Sequence, residues 1–110
     1  MTDKELLELA AKACGFEVRI YSGMCVDRGT DCVCVTKDGL KWNPLTDDGD
    51  ALRLAVELEL ELWFGGGGLN AGGMTMDIEE DYGQDPFAAT RRSIVRAAAE
   101  IGKAKREAGL

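Results

Sequence analysis

Residues 42–58 read WNPLTDDGDALRLAVEL, and this stretch, from Trp42 to Leu58, decides the fold. It joins an extended segment to a helix. Pro44 holds Asn43 in an extended conformation and cannot itself donate to a sheet. Thr46, Asp47 and Asp48 bring side-chain oxygens to the unpaired amides of a helix start. Gly49 and Asp50 fall in the first turn, where negative charge is favoured. Beyond them Leu52, Ala55, Val56 and Glu59 share one stripe at helical spacing, widened by Leu54 and Leu58. The stretch predicts a junction between strand and helix and carries no catalytic motif.

Toward the N-terminus, Thr2 and Glu5 form a T-x-x-E capping box. It predicts a first helix with Leu6, Leu9, Ala10 and Ala13 as the buried stripe and Gly15 as the stop. From Phe16 to Cys25, Val18 and Ile20 alternate with Glu17, Arg19 and Tyr21, the period of a strand covered on one face. Asp27 to Asp31 is turn chemistry, and Cys32-Val33-Cys34-Val35 resumes as a strand with apolar residues on both faces. Lys37-Asp38-Gly39 turns the chain again into a short strand, Leu40 to Trp42.

Toward the C-terminus, Leu58 to Leu62 alternates like a strand, while Leu54, Leu58 and Leu62 repeat like a helix. The change is expected near Leu60, although no glycine is present there to end the helix. Trp63 and Phe64 finish that strand, and Gly65 to Gly73 reads as a flexible hairpin connection. Met74, Met76 and Ile78 then oppose Thr75, Asp77, Glu79 and Asp81, which predicts an edge strand with an acidic outer face. Asp85-Pro86 places a carboxylate at an N-cap and proline at the first helical position. Phe87, Ala88, Arg91, Ile94, Val95, Ala98 and Ile101 follow at helical spacing to about Arg106. The expected fold class is α+β, one domain over residues 1–110 with a mainly antiparallel sheet of four to five strands and three helices.

Three stretches carry a family resemblance: TDKELLELAAKACGF from Thr2, WNPLTDDGDALRLAV from Trp42, and DPFAATRRSIVRAAAEIGKA from Asp85. In this order they resemble the phage ABA sandwich domain, a family of small proteins from tailed bacteriophages and prophages. The resemblance implies helices on both faces of the sheet, an α-β-α sandwich. It implies no particular function. The segment WFGGGGLNAGG, from Trp63 to Gly73, departs from the pattern in being so rich in glycine.

Composition narrows the chemistry. The apolar share, 45%, is that of a folded globular chain, and no run of apolar residues is long enough to span a bilayer. The chain opens on a capped amphipathic helix in place of a signal peptide, so with the resemblance the expected location is the cytoplasm of a bacterial host. The net charge of −7 is uneven: residues 1–90 hold 7 basic and 18 acidic side chains, and residues 91–110 hold 6 basic and 2 acidic. An acidic body argues against direct binding to nucleic acid, which needs clustered Lys and Arg. The cations of the last helix suit the negative end of its dipole.

There is no histidine, which removes the commonest general base, the usual serine or cysteine triad and the commonest neutral metal ligand. No carboxylate pair stands out among the 20 acidic residues. Cys32 and Cys34 form a C-x-C within a strand, where same-face ligands sit about 6.6 Å apart. That is wide for one metal, so Cys14, Cys25, Cys32 and Cys34 read as small core residues before metal or redox groups. The glycines at 65–73 join two expected strands with no lysine after them, so they do not read as a phosphate loop. Trp42 and Trp63 read as core or rim packing before binding hot spots.

The expected protein is therefore not an enzyme and takes no cofactor. It is a phage accessory protein that acts by binding a host protein, most specifically an anti-defence inhibitor such as an anti-CRISPR. Its acidic face would occupy the nucleic-acid-binding surface of an immune complex. The candidate contact residues are Asp77, Glu79, Glu80, Asp81, Asp85 and Trp63. Against this stands a merely solvated acidic edge. Two further readings are an interaction module that forms a homodimer through an edge strand, and a nucleotide-signal sponge. In the sponge the Gly65–Gly73 loop would close a pocket lined by Arg91, Arg92 and Arg96.

Overall fold

The computed structural model describes residues 2–22, 32–36, 41–65, 67–73 and 76–109, with the backbone alone at 19–22, 32–36, 69, 70, 73, 76 and 77. In chain order the elements are α1 (Asp3–Cys14), β1 (Val18–Ser22), β2 (Cys32–Thr36), α2 (Asp48–Glu57), β3 (Glu61–Gly65), β4 (Gly68–Gly73), β5 (Met76–Asp81) and α3 (Pro86–Glu107). The fold is α+β. Its described strands form two antiparallel sheets, a β1-β2 ribbon and a three-stranded sheet in the order β3-β4-β5. The expected layer of four to five strands is thus met by three in the larger sheet. The expected turns at 27–31 and 37–39, Cys25, Leu40 and the Met74–Thr75 start of the fifth strand lie outside the described residues.

Helix α3 is the element on which the rest packs. It lies against α1 on one side, across β4 and β5 on another, and touches α2 as well. Coverage from several directions explains why Ala89, Ser93, Ile94, Val95, Ala97, Ala98, Ala99 and Gly102 are all buried, well beyond a single stripe. Phe87, expected on that stripe, is 70% exposed. The core joins Leu6, Leu9 and Ala10 of α1 to Ala51, Leu54 and Ala55 of α2 and Ile94, Val95, Ala98 and Ala99 of α3.

Helices α1 and α3 run parallel. Arg92 pairs with Asp3 at 3.2 Å near the start of α1, and Lys105 donates to the Ala13 carbonyl at 2.6 Å near its end. Between these contacts the backbones nearly touch: a Cβ on Gly102 would sit 1.8 Å from the Leu9 carbonyl oxygen. Only glycine permits this crossing.

The junction at 42–50 is held by hydrogen bonds its own sequence supplies. Asn43 Oδ1 accepts from Leu45 N at 3.0 Å, and Asp50 Oδ2 accepts from Asn43 N at 2.9 Å. Of the three expected caps, Asp47 serves, accepting from Asp50 N at 2.8 Å. Arg91 of α3 locks the turn from the far side, donating to the Leu45 carbonyl at 2.9 Å and to Asp48 at 2.6 Å. The Trp42 ring stands edge-on to Phe16 with centroids 5.0 Å apart.

The buried stripe of α2 differs from the expected one. Ala51, Leu54 and Ala55 are buried, whereas Leu52 is 60% and Val56 69% exposed. Both sets obey helical spacing, so periodicity could not choose between them; the docking of α2 on α3 does.

All three helices end in the left-handed conformation that the last turn requires. Gly15 and Gly109 adopt it at φ 82° and 77°, but after α2 it falls to Glu59 at φ 53°. Glu59 N donates to the Val56 carbonyl at 3.1 Å and Leu60 N to the Ala55 carbonyl at 2.9 Å, a complete Schellman pair without its glycine. The expected handover near Leu60 is where the chain leaves the helix.

Candidate functional site

The three-stranded sheet has one face under α3 and one face open. Its covered face is fixed by Ala71, fully buried, by Ile78 and by Leu62, which packs on the core. Glu80 belongs to the same face, where its carboxylate pairs with Arg96 of α3. Strand alternation then places Glu61, Trp63 and Gly65 of β3, Gly68 and Gly72 of β4, and Glu79 and Asp81 of β5 on the open face. The register aligns them in three rows: Glu61–Gly72–Asp77, Trp63–Asn70–Glu79 and Gly65–Gly68–Asp81.

This face has a distinct shape and charge. Its middle strand has glycine at 68, half-buried, and at 72, buried, while the outer strands carry Trp63 and Glu61 on one side and Glu79 and Asp81 on the other. Across two strand spacings the outer strands stand about 9–10 Å apart. Trp63 is 68% exposed, and Glu61, Glu79 and Asp81 are exposed. Residues 61–81 contain no lysine or arginine. Arg96 of α3 reaches the sheet on the covered face, bonding Glu80 and the Glu79 carbonyl. The strands themselves therefore supply the open face with acid and no base.

The candidate contact residues divide accordingly. Trp63, Glu79 and Asp81 stand together on the open face, with position 77 in line with them. Glu80 is turned away from them and spent on Arg96. Asp85 is exposed but caps α3, accepting from Phe87 N at 3.0 Å and Ala88 N at 3.1 Å. Glu61 was missed; its place opposite Gly72, in line with Asp77, depends on a strand that the sequence hid.

That strand is β4. Gly65 to Gly73 is not a flexible connection: Gly65 pairs directly with Gly68, and residues 68–73 form the central strand. Glycine disfavours strands, yet pairing on both sides and contact with α3 hold this one in place. Gly68 also has a positive requirement, since a Cβ there would lie 2.7 Å from the Glu80 carbonyl oxygen. The alternation of Leu69 with Ala71 was the available signal.

Of the arginines expected to line a pocket, Arg92 and Arg96 border a small one of about 400 Å³ with Leu6, Ile78 and Glu100, and Arg91 lies away from it. Arg91 binds the 45–48 turn, Arg92 binds Asp3 and Arg96 binds Glu80, each on a different element. The 65–73 segment, being a strand, provides no lid. A shallow groove of about 860 Å³ does lie at the N-terminal ends of α1 and α3, between Lys4, Asn43, Tyr82, Gln84 and Arg92, and its lining mixes both charges. Among the described residues no three His, Cys, Asp or Glu side chains approach closely enough to hold a metal ion. Cys14 is half-buried, and burial above all, then the nearby Glu57 carboxylate, raises its thiol above the ordinary value of 9.0 against the opposing Lys105. The side chains of Cys32 and Cys34, and Cys25 altogether, lie outside the described residues. No described helix is long and apolar enough to cross a membrane.

Set against known proteins, the chain matches no family, no curated sequence and no solved structure.

Proposed function

We propose that the protein acts by binding, without chemistry of its own, and that the open face of the sheet receives a basic surface on another protein. The observation that carries this reading is the acidic face of Glu61, Glu79 and Asp81, with Trp63 beside it and no cation on the sheet's own strands. Carboxylates at strand spacing suit arginine side chains, and an exposed indole adds a stacking surface for a guanidinium. Surfaces rich in arginine are what nucleic-acid-handling proteins present to phosphate.

With the resemblance to phage ABA sandwich domains, the fuller proposal is a phage accessory protein in the cytoplasm of a bacterial host. There it inhibits a defence complex, as an anti-CRISPR does, by occupying its nucleic-acid groove. The helices on both sheet faces that the resemblance implies are not part of this proposal, since α1 and α2 both pack on α3 and the binding face must stay free.

The test is affinity capture from bacterial lysate at low and high salt, with the wild type and with Glu79→Gln/Asp81→Asn. A nucleic-acid-handling protein held by the wild type at low salt, released at high salt and lost with the double variant is the expected result. A partner retained equally by the double variant would sink the reading.

A further inference from the structure

The two exposed aromatics of β3 lie on opposite faces of a strand that forms an edge of the sheet among the described residues. Trp63 is 68% exposed on the open face and Phe64 is 60% exposed on the helix side. Edges of soluble sheets are ordinarily blunted by lysine, proline or a bulge. The sequence of β3, ELWFG, has no lysine or proline, and β4 pairs with all of it without a bulge. A partner docked on one face of the sheet would cover only one of these rings. A strand laid alongside β3 covers both, and completes its outer row of backbone groups.

We infer that the occupant of this edge is a second copy of the chain, joined β3 to β3 in antiparallel register about a two-fold axis at Trp63. Three features of the strand specify this pairing. Residues directly opposite each other share a face, so α3 of both copies stays on the same side only when odd positions meet odd positions. Centring on Glu61 would oppose two carboxylates, which is destabilising. Centring on Trp63 pairs the whole strand with itself: Glu61 opposes Gly65, Leu62 opposes Phe64 and Trp63 opposes Trp63, so each carboxylate meets glycine and apolar meets apolar. The product is a continuous six-stranded sheet with the two indoles at its centre, between two acidic β5 strands.

This pairing stands apart from the binding of a basic partner, and salt separates the two. Each copy carries −7, so added salt screens repulsion and strengthens the dimer, while it releases a basic partner. The interface is small, so the expected dimer is weak, with a dissociation constant on the order of 10–100 μM.

The experiment is sedimentation equilibrium of the full chain over about 5–500 μM at two salt concentrations, a span that brackets that range. The wild type and the variants Trp63→Glu and Trp63→Lys are compared, with circular dichroism to show that each remains folded. Trp63 is mostly exposed, so both variants should fold. The wild type is expected to dimerise, more so at high salt. Each variant alone should weaken association by at least about 30-fold, and an equimolar mixture should recover it, because glutamate then faces lysine across the axis. A wild type that stays monomeric throughout, or variants that dimerise as well as it does, overturns the inference. A mixture that stays monomeric while the wild type dimerises overturns the register. Glu79→Gln/Asp81→Asn, on β5, should leave dimerisation intact while removing a basic partner.

Discussion

Replacing Glu59 by glycine should stabilise this protein, and the size of the gain follows from three contributions. Glu59 sits at φ 53° in the left-handed region, at the position where α1 and α3 are followed by glycine. That conformation costs an L-residue about 1–2 kcal/mol, which glycine escapes. Against it, glycine gives the unfolded chain freedom worth about 0.4–1 kcal/mol. The third contribution is electrostatic. The last turn of α2 carries no basic residue, so the Glu59 carboxylate faces the negative end of the helix dipole unassisted. For an exposed group this costs about 0.3 kcal/mol, the low end of the usual range. The sum predicts a gain of about 1 kcal/mol, or roughly 4 °C in Tm for a chain of this size.

Urea denaturation followed by circular dichroism measures it, with Glu59→Gln and Glu59→Asn beside Glu59→Gly. Glutamine removes only the charge and should give about 0.3 kcal/mol. Asparagine tolerates the left-handed region better than most residues and should fall between the two. The denaturant slope should not change, since none of these side chains is buried. If glutamine stabilises as much as glycine, the backbone at Glu59 is not strained and the account of this helix end is wrong. If glycine destabilises, the Schellman pair is not what holds the handover.

Other substitutions test other joints of the same frame. Gly102→Ala drives a methyl group into the Leu9 carbonyl, so the crossing of α1 and α3 must open, at a cost of about 3 kcal/mol or more by thermal melt. Asp85→Ala removes two cap hydrogen bonds from α3 and should cost about 1 kcal/mol, while Glu79→Gln/Asp81→Asn should leave Tm within about 2 °C of the wild type. The raised Cys14 thiol gives a pH test with a defined sign. Around the ordinary value of 9.0 the unfolded chain loses this proton while the folded chain keeps it, so stability falls as pH rises. Cys14→Ala should make the melting temperature less sensitive to pH between about 8 and 10.

The helix boundaries were legible because they are written in local chemistry. Thr2, Asp47 and Asp85 each bond amides two or three residues ahead, and Gly15 takes a conformation that most other residues avoid. Burial within a helix was legible only in part. The expected stripe of α1 is buried, but so are Leu7 and Ala11 beside it, and α2 presents two stripes of equal period, of which only its docking on α3 selects Ala51, Leu54 and Ala55. The hidden strand failed for a related reason. Nothing in GLNAGG favours a strand by propensity; β4 is one because β3 and β5 flank it and α3 presses on Ala71.

That failure bears directly on the candidate site. Read as a loop, 65–73 leaves the acidic positions of β5 as an isolated ladder, with Trp63 unrelated to them. Read as the central strand, it sets Trp63 in one row with Glu79 and brings Glu61 into line with Asp77. The same pleat turns Glu80 to the helix side, where Arg96 neutralises it. A face whose own strands carry acid and no base, with glycines along its middle strand, is costly to keep merely as a soluble edge, since glycines weaken the strand. Solubility needs neither the glycines nor an exposed indole, and lysine at the edge would serve it better. Both features are accounted for if the face is covered in use, the glycines leaving room for side chains that arrive from a partner and Trp63 giving them a surface on which to stack.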